Sequence, residues 1–259
     1  MVEHRSLKIH REDAVLRVTL ANPAQRNAQT PSLWKALGEV ARTLDPDIRV
    51  VIIDAEGNDF SAGLHLDMFR ADGMEGEVNL MQKAKASETE FAELIAEYQR
   101  GFTAWRETDA IVVAAVQGHA IGAGFQLALG ADLRVVSDDV HFAMREVSLG
   151  MIPDLGGTAP LTQTVGYSRA LEICLTGRFV EAQEAVGSGL ASLAVPRQDL
   201  AATTDQVVAA LLEAPAPAVR EMKKLALAAT LTPVSEQVTN EAAAQARLLH
   251  RIAAGSSKG

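Results

Sequence analysis

Hydrophobic positions along this chain switch between two periods. Residues 14–20 (AVLRVTL) alternate well enough for a strand. A turn at Asn22-Pro23 follows, and Thr30-Pro31 then reads as a helix N-cap with proline at the first helical position, where a missing N–H costs nothing. Leu33, Leu37, Val40 and Leu44 give that helix one apolar face. Residues 49–54 (RVVIID) are continuous and β-branched, the pattern of a strand buried on both faces, and 111–116 (IVVAAV) and 133–136 (LRVV) repeat it. Strands alternating with helical stretches predict an α/β chain with crossover connections.

Between two of these strands, 68–109 is long, charged and helical in character, and is expected to pack over the surface near the strand ends. From 168 onward the pattern is mostly helical. SRALEICLTG ends at a glycine, VEAQEAVGSG forms a second helix, LASLAV fits a short strand, and 199–213, 216–230 and 234–253 read as three Ala-rich helices.

Composition narrows the function classes. Hydrophobic residues make up 48% and aromatics 4%, so a large core must rest on aliphatic side chains. A net charge of -9 argues against general nucleic-acid binding, which needs a basic face to displace counterions. It leaves room for an anionic ligand held by a helix N-terminus. Cys174 is the single cysteine, so no internal disulfide forms and no Cys/His set has zinc spacing; no metal is expected. The charged opening MVEHRSLKIHRED lacks an apolar signal core, and no run of about 18 apolar residues would span a membrane. These features fit a reducing, cytoplasmic setting.

Two small-residue turns carry the candidate chemistry. Phe60-Ser61-Ala62-Gly63-Leu64-His65-Leu66-Asp67 follows one buried strand, and Gln117-Gly118-His119-Ala120-Ile121-Gly122-Ala123-Gly124-Phe125-Gln126 follows another and leads into a helix. Small residues let a ligand approach the backbone, and two convergent N–H sources would stabilise an oxyanion. On spacing alone, plain turn chemistry is the commoner use of such residues. There is no GxGxxG, GK[ST] or G-x-S-x-G, which disfavours dinucleotide, P-loop and serine-hydrolase sites.

With these segments, the chain resembles the crotonase superfamily of enoyl-CoA hydratases and isomerases. The resemblance rests on NPAQRNA at 22–28, FSAGLHLDMF, GHAIGAGFQLALGADLRVVS at 118–137, FAMREVSLGMIPDLGGTAPL at 142–161 and TGRFVEAQEAVGSGLASLAVP at 176–196. It implies an α/β fold: a crotonase-like spiral of ββα turns over 1–198, then a C-terminal helical trimerisation region over 199–259. It also implies a trimer or dimer of trimers and an acyl-CoA thioester substrate whose CoA is the only cofactor-like group. Leu64 and Ala123 would supply the oxyanion N–H groups. Arg26, Ala28, Ala62 and Leu66 would border the CoA moiety, with His65, Asp67 and Gln126 completing the substrate-binding set. On its chemistry alone Arg26 is equally a solvated loop cation. His65 and His119 read as packing or hydrogen-bonding residues, and His141 has no evident role. Lys223 and Lys224 are either phosphate contacts or part of a solvated helix face.

The carboxylates bear on the reaction. Hydratases of this superfamily place glutamates at the positions of Gln126 and Glu146, and this chain keeps Glu146. An amide cannot take a proton as a general base. One carboxylate suffices to move a double bond, whereas hydration transfers protons at two places, so isomerisation is favoured over efficient hydration. Asp154 occupies a position where dienoyl-CoA isomerases have an aspartate. It is either a second proton carrier or the N-cap of the helix that follows. A non-catalytic acyl-CoA binder is the reading from a different class. An unrelated α/β protein would lack convergent N–H groups at 64 and 123.

Overall fold

The computed structural model describes residues 2–256, and its chain opens with an antiparallel pair, β1 (Leu7–Glu12) and β2 (Val15–Leu20). Next come α1 (Pro31–Arg42), β3 (Val50–Ala55), α2 (Leu80–Ala86), α3 (Glu88–Glu107), β4 (Ile111–Val116), β5 (His119–Ile121) and α4 (Ala123–Gly130). After these run β6 (Leu133–Ser137), β7 (His141–Ala143), α5 (Thr158–Val165), α6 (Tyr167–Thr176), β8 (Val180–Glu181), α7 (Ala182–Gly187) and β9 (Leu193–Val195). Three helices follow: α8 (Leu200–Glu213), α9 (Ala216–Ala229) and α10 (Val234–Ser256).

Six strands form one sheet in the order β1-β2-β3-β4-β6-β9, parallel except for the β1–β2 pair. A smaller sheet has the order β5-β7-β8. The chain therefore winds as repeated turns: a strand in the large sheet, a strand in the small one, then helix. β4, β5 and α4 make one such turn, and β6, β7 and α5 the next. After β3, a single bridge from Ser61 to Ala120 of β5 takes the place of the second strand. This is the α/β spiral that the resemblance implied.

The IVVAAV run is buried along its whole length for a definite reason. Val112, Ala114 and Val116 join the main core with α1, α3 and α4, while Ile111, Val113 and Ala115 face Leu200 and Val208 of α8. Each of these valine, leucine and isoleucine side chains contributes about 1.5–3 kcal/mol on full burial. α8, the first of the Ala-rich helices, therefore packs on the back of the sheet. α1 begins as its sequence predicts, with the Thr30 side chain accepting from Leu33 N and Leu33, Leu37 and Val40 buried.

One expectation changes. The 68–109 segment lies on the surface only in its first half. α3 buries Tyr98, Phe102 and Trp105 against α1, a stripe at helical spacing that its charged opposite face obscures. The charged N-terminal segment is the edge strand β1, whose solvent-facing charges suit an unpaired edge. Among the described residues, no helix is long and apolar enough to cross a membrane.

Candidate active site

The turn after β3 is laid against two neighbours at once. Ser61 N donates to His119 O, and Ile121 N returns a bond to Ser61 O, each at 2.9 Å. On the other side Ala62 N donates to Arg26 O, Gln29 N to Gly63 O and His65 N to Gln29 O. Arg26, Ala28, Ala62, Leu64 and His65 are thereby brought side by side. Ser61 Oγ, fully buried, donates to Asn27 O and accepts from Gly63 N and Gln29 Nε2. Gln29 is held in turn by Trp34 Nε1. Sequence reasoning assigned no role to Ser61 or Gln29; the available signal was a polar residue inside the FSAGLHLDMF segment and another directly after NPAQRNA.

These bonds account for the N–H groups of Ser61, Ala62, Gly63 and His65. That of Leu64 has no hydrogen-bond partner among the described residues. The same holds for Ala123, the first residue of α4, as expected at a helix N-terminus. The two turns touch. Gly63 has φ +88°, and a Cβ built on it would lie 2.6 Å from Ile121 O and 3.7 Å from Ala123 N. A glycine is required there by both conformation and space. Two free donors thus sit on adjoining backbone segments, with α4 adding its positive end.

Glu146 reaches this point through the small sheet. β5 and β7 run parallel with Ile121 opposite Ala143, and Gly122 N donates to Ala143 O. Three residues beyond Ala143, Glu146 opens a short 3₁₀ turn, and its Oε1 would lie 3.1 Å from a Cβ on Gly122. Oε1 accepts from Gln126 Nε2 at 2.8 Å; Oε2 is buried with no hydrogen-bond partner among the described residues. Burial raises the Glu146 pKa, its own N–H and Gln126 oppose the rise, and Asp154 adds to it. A carboxyl so perturbed beside free N–H donors has the character of an acid/base group.

Gln126 is 1% exposed, and its amide oxygen accepts from Leu155 N and Gly157 N. Its polar atoms are turned to protein groups, the amide NH₂ to Glu146 and the oxygen to the two backbone N–H groups. Asp154 is not a helix cap: α5 starts at Thr158 with Gly157 at its N-cap and no side-chain bond. The Asp154 carboxyl is raised by burial and lies close enough to act on Glu146, and its backbone carbonyl is held by Gln99 Nε2 at 2.7 Å.

At the rim, Arg26 Nε donates to Asp59 and its Nη2 lies 3.0 Å from His119 Nδ1, so Arg26 is a paired cation rather than a freely solvated one. Burial opposes ionisation of Asp59, yet the bonds from Arg26 and His119 outweigh it and bring its pKa to about 2. His119 stacks on His141 at 5.2 Å, which gives His141 a packing role. His65 Nδ1 accepts from Asp67 N as the cap of a 3₁₀ turn carrying exposed Leu66 and Asp67. Lys223 belongs to neither of its expected roles. It is buried, paired with Asp132 at 2.8 Å, and donates to Trp105 O and Ala110 O. Lys224 pairs with Asp109 at the surface.

The family model described as enoyl-CoA hydratase/isomerase matches residues 10–257. A Mycobacterium bovis protein named as a probable enoyl-CoA hydratase is 29% identical, the match covering 92% of this chain and 87% of that one. A carnitinyl-CoA dehydratase of Citrobacter koseri is 32% identical, covering 89% and 84%. A Thermobifida fusca protein assigned to the enoyl-CoA hydratases, solved with CoA, is 42% identical with a TM-score of 0.90, covering 96% and 94%. Its structure with acetoacetyl-CoA is 41% identical with a TM-score of 0.91, covering 95% of each chain.

Proposed function

The chain belongs to the enoyl-CoA hydratase/isomerase family, and from that premise we propose that it shifts the double bond of an unsaturated acyl-CoA thioester. The thioester oxygen accepts the free N–H groups of Leu64 and Ala123, and the charge that gathers there as an enolate is held by these donors and by the N-terminus of α4. Glu146 Oε2 removes a proton from the saturated carbon next to the double bond, Cα of a 3-enoyl thioester or Cγ of a 2-enoyl one. The C–H electron pair becomes the enolate, and the proton returns to the carbon two bonds away. No water is consumed and the carboxylate is regenerated. The solved relative with acetoacetyl-CoA supports a thioester in such a site.

The observation that carries this reading is the asymmetry of Glu146. One oxygen is pinned by Gln126, the other is buried and free, and the facing residue is an amide that cannot relay a proton. Asp154 favours a second reading, hydration or its reverse through a Glu146–Asp154 pair, because it acts on Glu146 electrostatically. The carnitinyl-CoA dehydratase relative supports that alternative.

Purified protein assayed with 2-enoyl-, 3-enoyl- and dienoyl-CoA ranks these outcomes. Interconversion of 2-enoyl and 3-enoyl thioesters faster than hydration is expected, with turnover lost in Glu146→Gln. Faster hydration transfers the assignment to the carboxylate pair. Tight acyl-CoA binding without turnover makes the protein a binder. We further propose a trimer or dimer of trimers, with helices from 199–259 in the contacts. Exposed Met222, Val238 and Leu249 on α9 and α10 support it, and light scattering measures it.

A further inference from the structure

We infer that Gln126 is a positioning residue for Glu146: it selects Oε2 as the oxygen that carries the proton and fixes where that oxygen points. The inference rests on the acid/base role proposed for Glu146. The hydrogen-bond pattern allows one amide orientation. Gln126 Oε1 faces two backbone N–H groups, Leu155 at 2.9 Å and Gly157 at 3.2 Å, and Nε2 faces the Glu146 carboxylate at 2.8 Å. Flipping the amide would set oxygen against carboxylate and NH₂ against N–H. The side chain is 1% exposed and packs closely: a Cβ on Gly157 would lie 2.6 Å from Gln126 Cγ. So Gln126 clamps α4, the 155–157 turn and Glu146 together.

A donor at 126 also acts on the charge of Glu146. Burial and Asp154 favour the neutral acid, while Gln126 favours the carboxylate. Cys174 of α6 lies within electrostatic reach of the group, its thiol raised by burial and by Glu146, and exposed Arg145 precedes Glu146 in the chain. Gln126 therefore keeps Glu146 ionised, and able to accept a proton, at lower pH than its pocket would otherwise allow.

Three variants test this. Gln126→Met keeps the length and removes the amide. Losing a hydrogen bond to a charged group predicts a kcat about 10- to 100-fold lower. KM should change far less, and the acid limb of the kcat/KM profile should move to higher pH. Gln126→Glu sets a second carboxylate against Glu146 and should move that limb further. Gly157→Ala changes neither residue and suits its backbone, φ -76°, but crowds Gln126, so it should shift the limb in the same direction. It keeps the test open if Gln126→Met fails to fold.

A Gln126→Met protein that folds and keeps the wild-type kcat and acid limb overturns the inference. So does an unmoved limb in Gly157→Ala where Met is not tolerated. Glu146→Gln run in parallel separates the two levels: retained turnover there refutes the acid/base role itself, and the inference with it. Should no thioester turn over, ¹³C NMR titration of the Glu146 carboxyl decides, and an unchanged midpoint in the folded variants overturns the inference.

Discussion

Gly63→Ala isolates the proposed oxyanion donor without altering any side chain of the site. At φ +88° an alanine is strained by of order 1–3 kcal/mol. Its methyl would also lie 2.6 Å from Ile121 O, where a carbon–oxygen contact needs about 3.3–3.6 Å, so the turn or β5 must move by about 0.7–1.0 Å. Leu64 N is the next donor along the chain, and an oxyanion bond at about 2.7–3.1 Å does not survive a displacement of that size. Loss of one such donor predicts kcat lower by about 10²–10³. The strain alone predicts a Tm lower by roughly 2–12 °C for a chain of this size. Gly76→Ala is the control: φ is +78°, but nothing lies within 4 Å of the added methyl, so Tm falls while kcat holds. Initial rates on an enoyl-CoA thioester, beside calorimetry on both variants, measure the two effects separately. If Gly63→Ala lowers Tm yet keeps kcat within about threefold of wild type, Leu64 is not a donor to the reacting oxygen.

Glu146→Gln should stabilise the fold while removing activity. The Glu146 pKa is raised in the native state, so the native protein holds that proton more firmly than the unfolded chain, and stability falls as pH rises from the ordinary glutamate range through the raised value. The variant's Tm advantage should be present at neutral pH and vanish in acid below the ordinary glutamate range; a lower Tm at neutral pH would contradict the assigned shift. Lys223→Met leaves Asp132 without its cation and should cost about 3–5 kcal/mol in urea unfolding. Lys224→Met, at an exposed pair, should change stability by less than about 1 kcal/mol, and equal effects from the two would refute the buried tether.

Much of the fold was legible one residue at a time. β4 is the predicted 111–116, α1 begins at the predicted Thr30-Pro31 cap, and the last three helices start within a residue of their expected positions. Local physics fixes these features: β-branched runs, proline at a helix start and 3.6-residue apolar spacing need no distant partner. The two glycine turns were legible for a related reason. Glycine beside a strand end marks a backbone able to come close to something, and Gly63 uses that freedom at φ +88°.

Tertiary structure decided what those turns approach. β1 is a strand because β2 offers it an edge, which its own charged pattern does not signal. Lys223 is buried because Asp132 and two carbonyls from residues more than a hundred positions away meet its ammonium group. Gln126 reads in sequence as a missing glutamate facing substrate. In the fold it lies between Glu146, 20 residues on, and the 155–157 turn. Whether an amide replaces a proton carrier or steadies one depends on which atoms lie within about 3 Å of it, and chain order alone does not specify that distance.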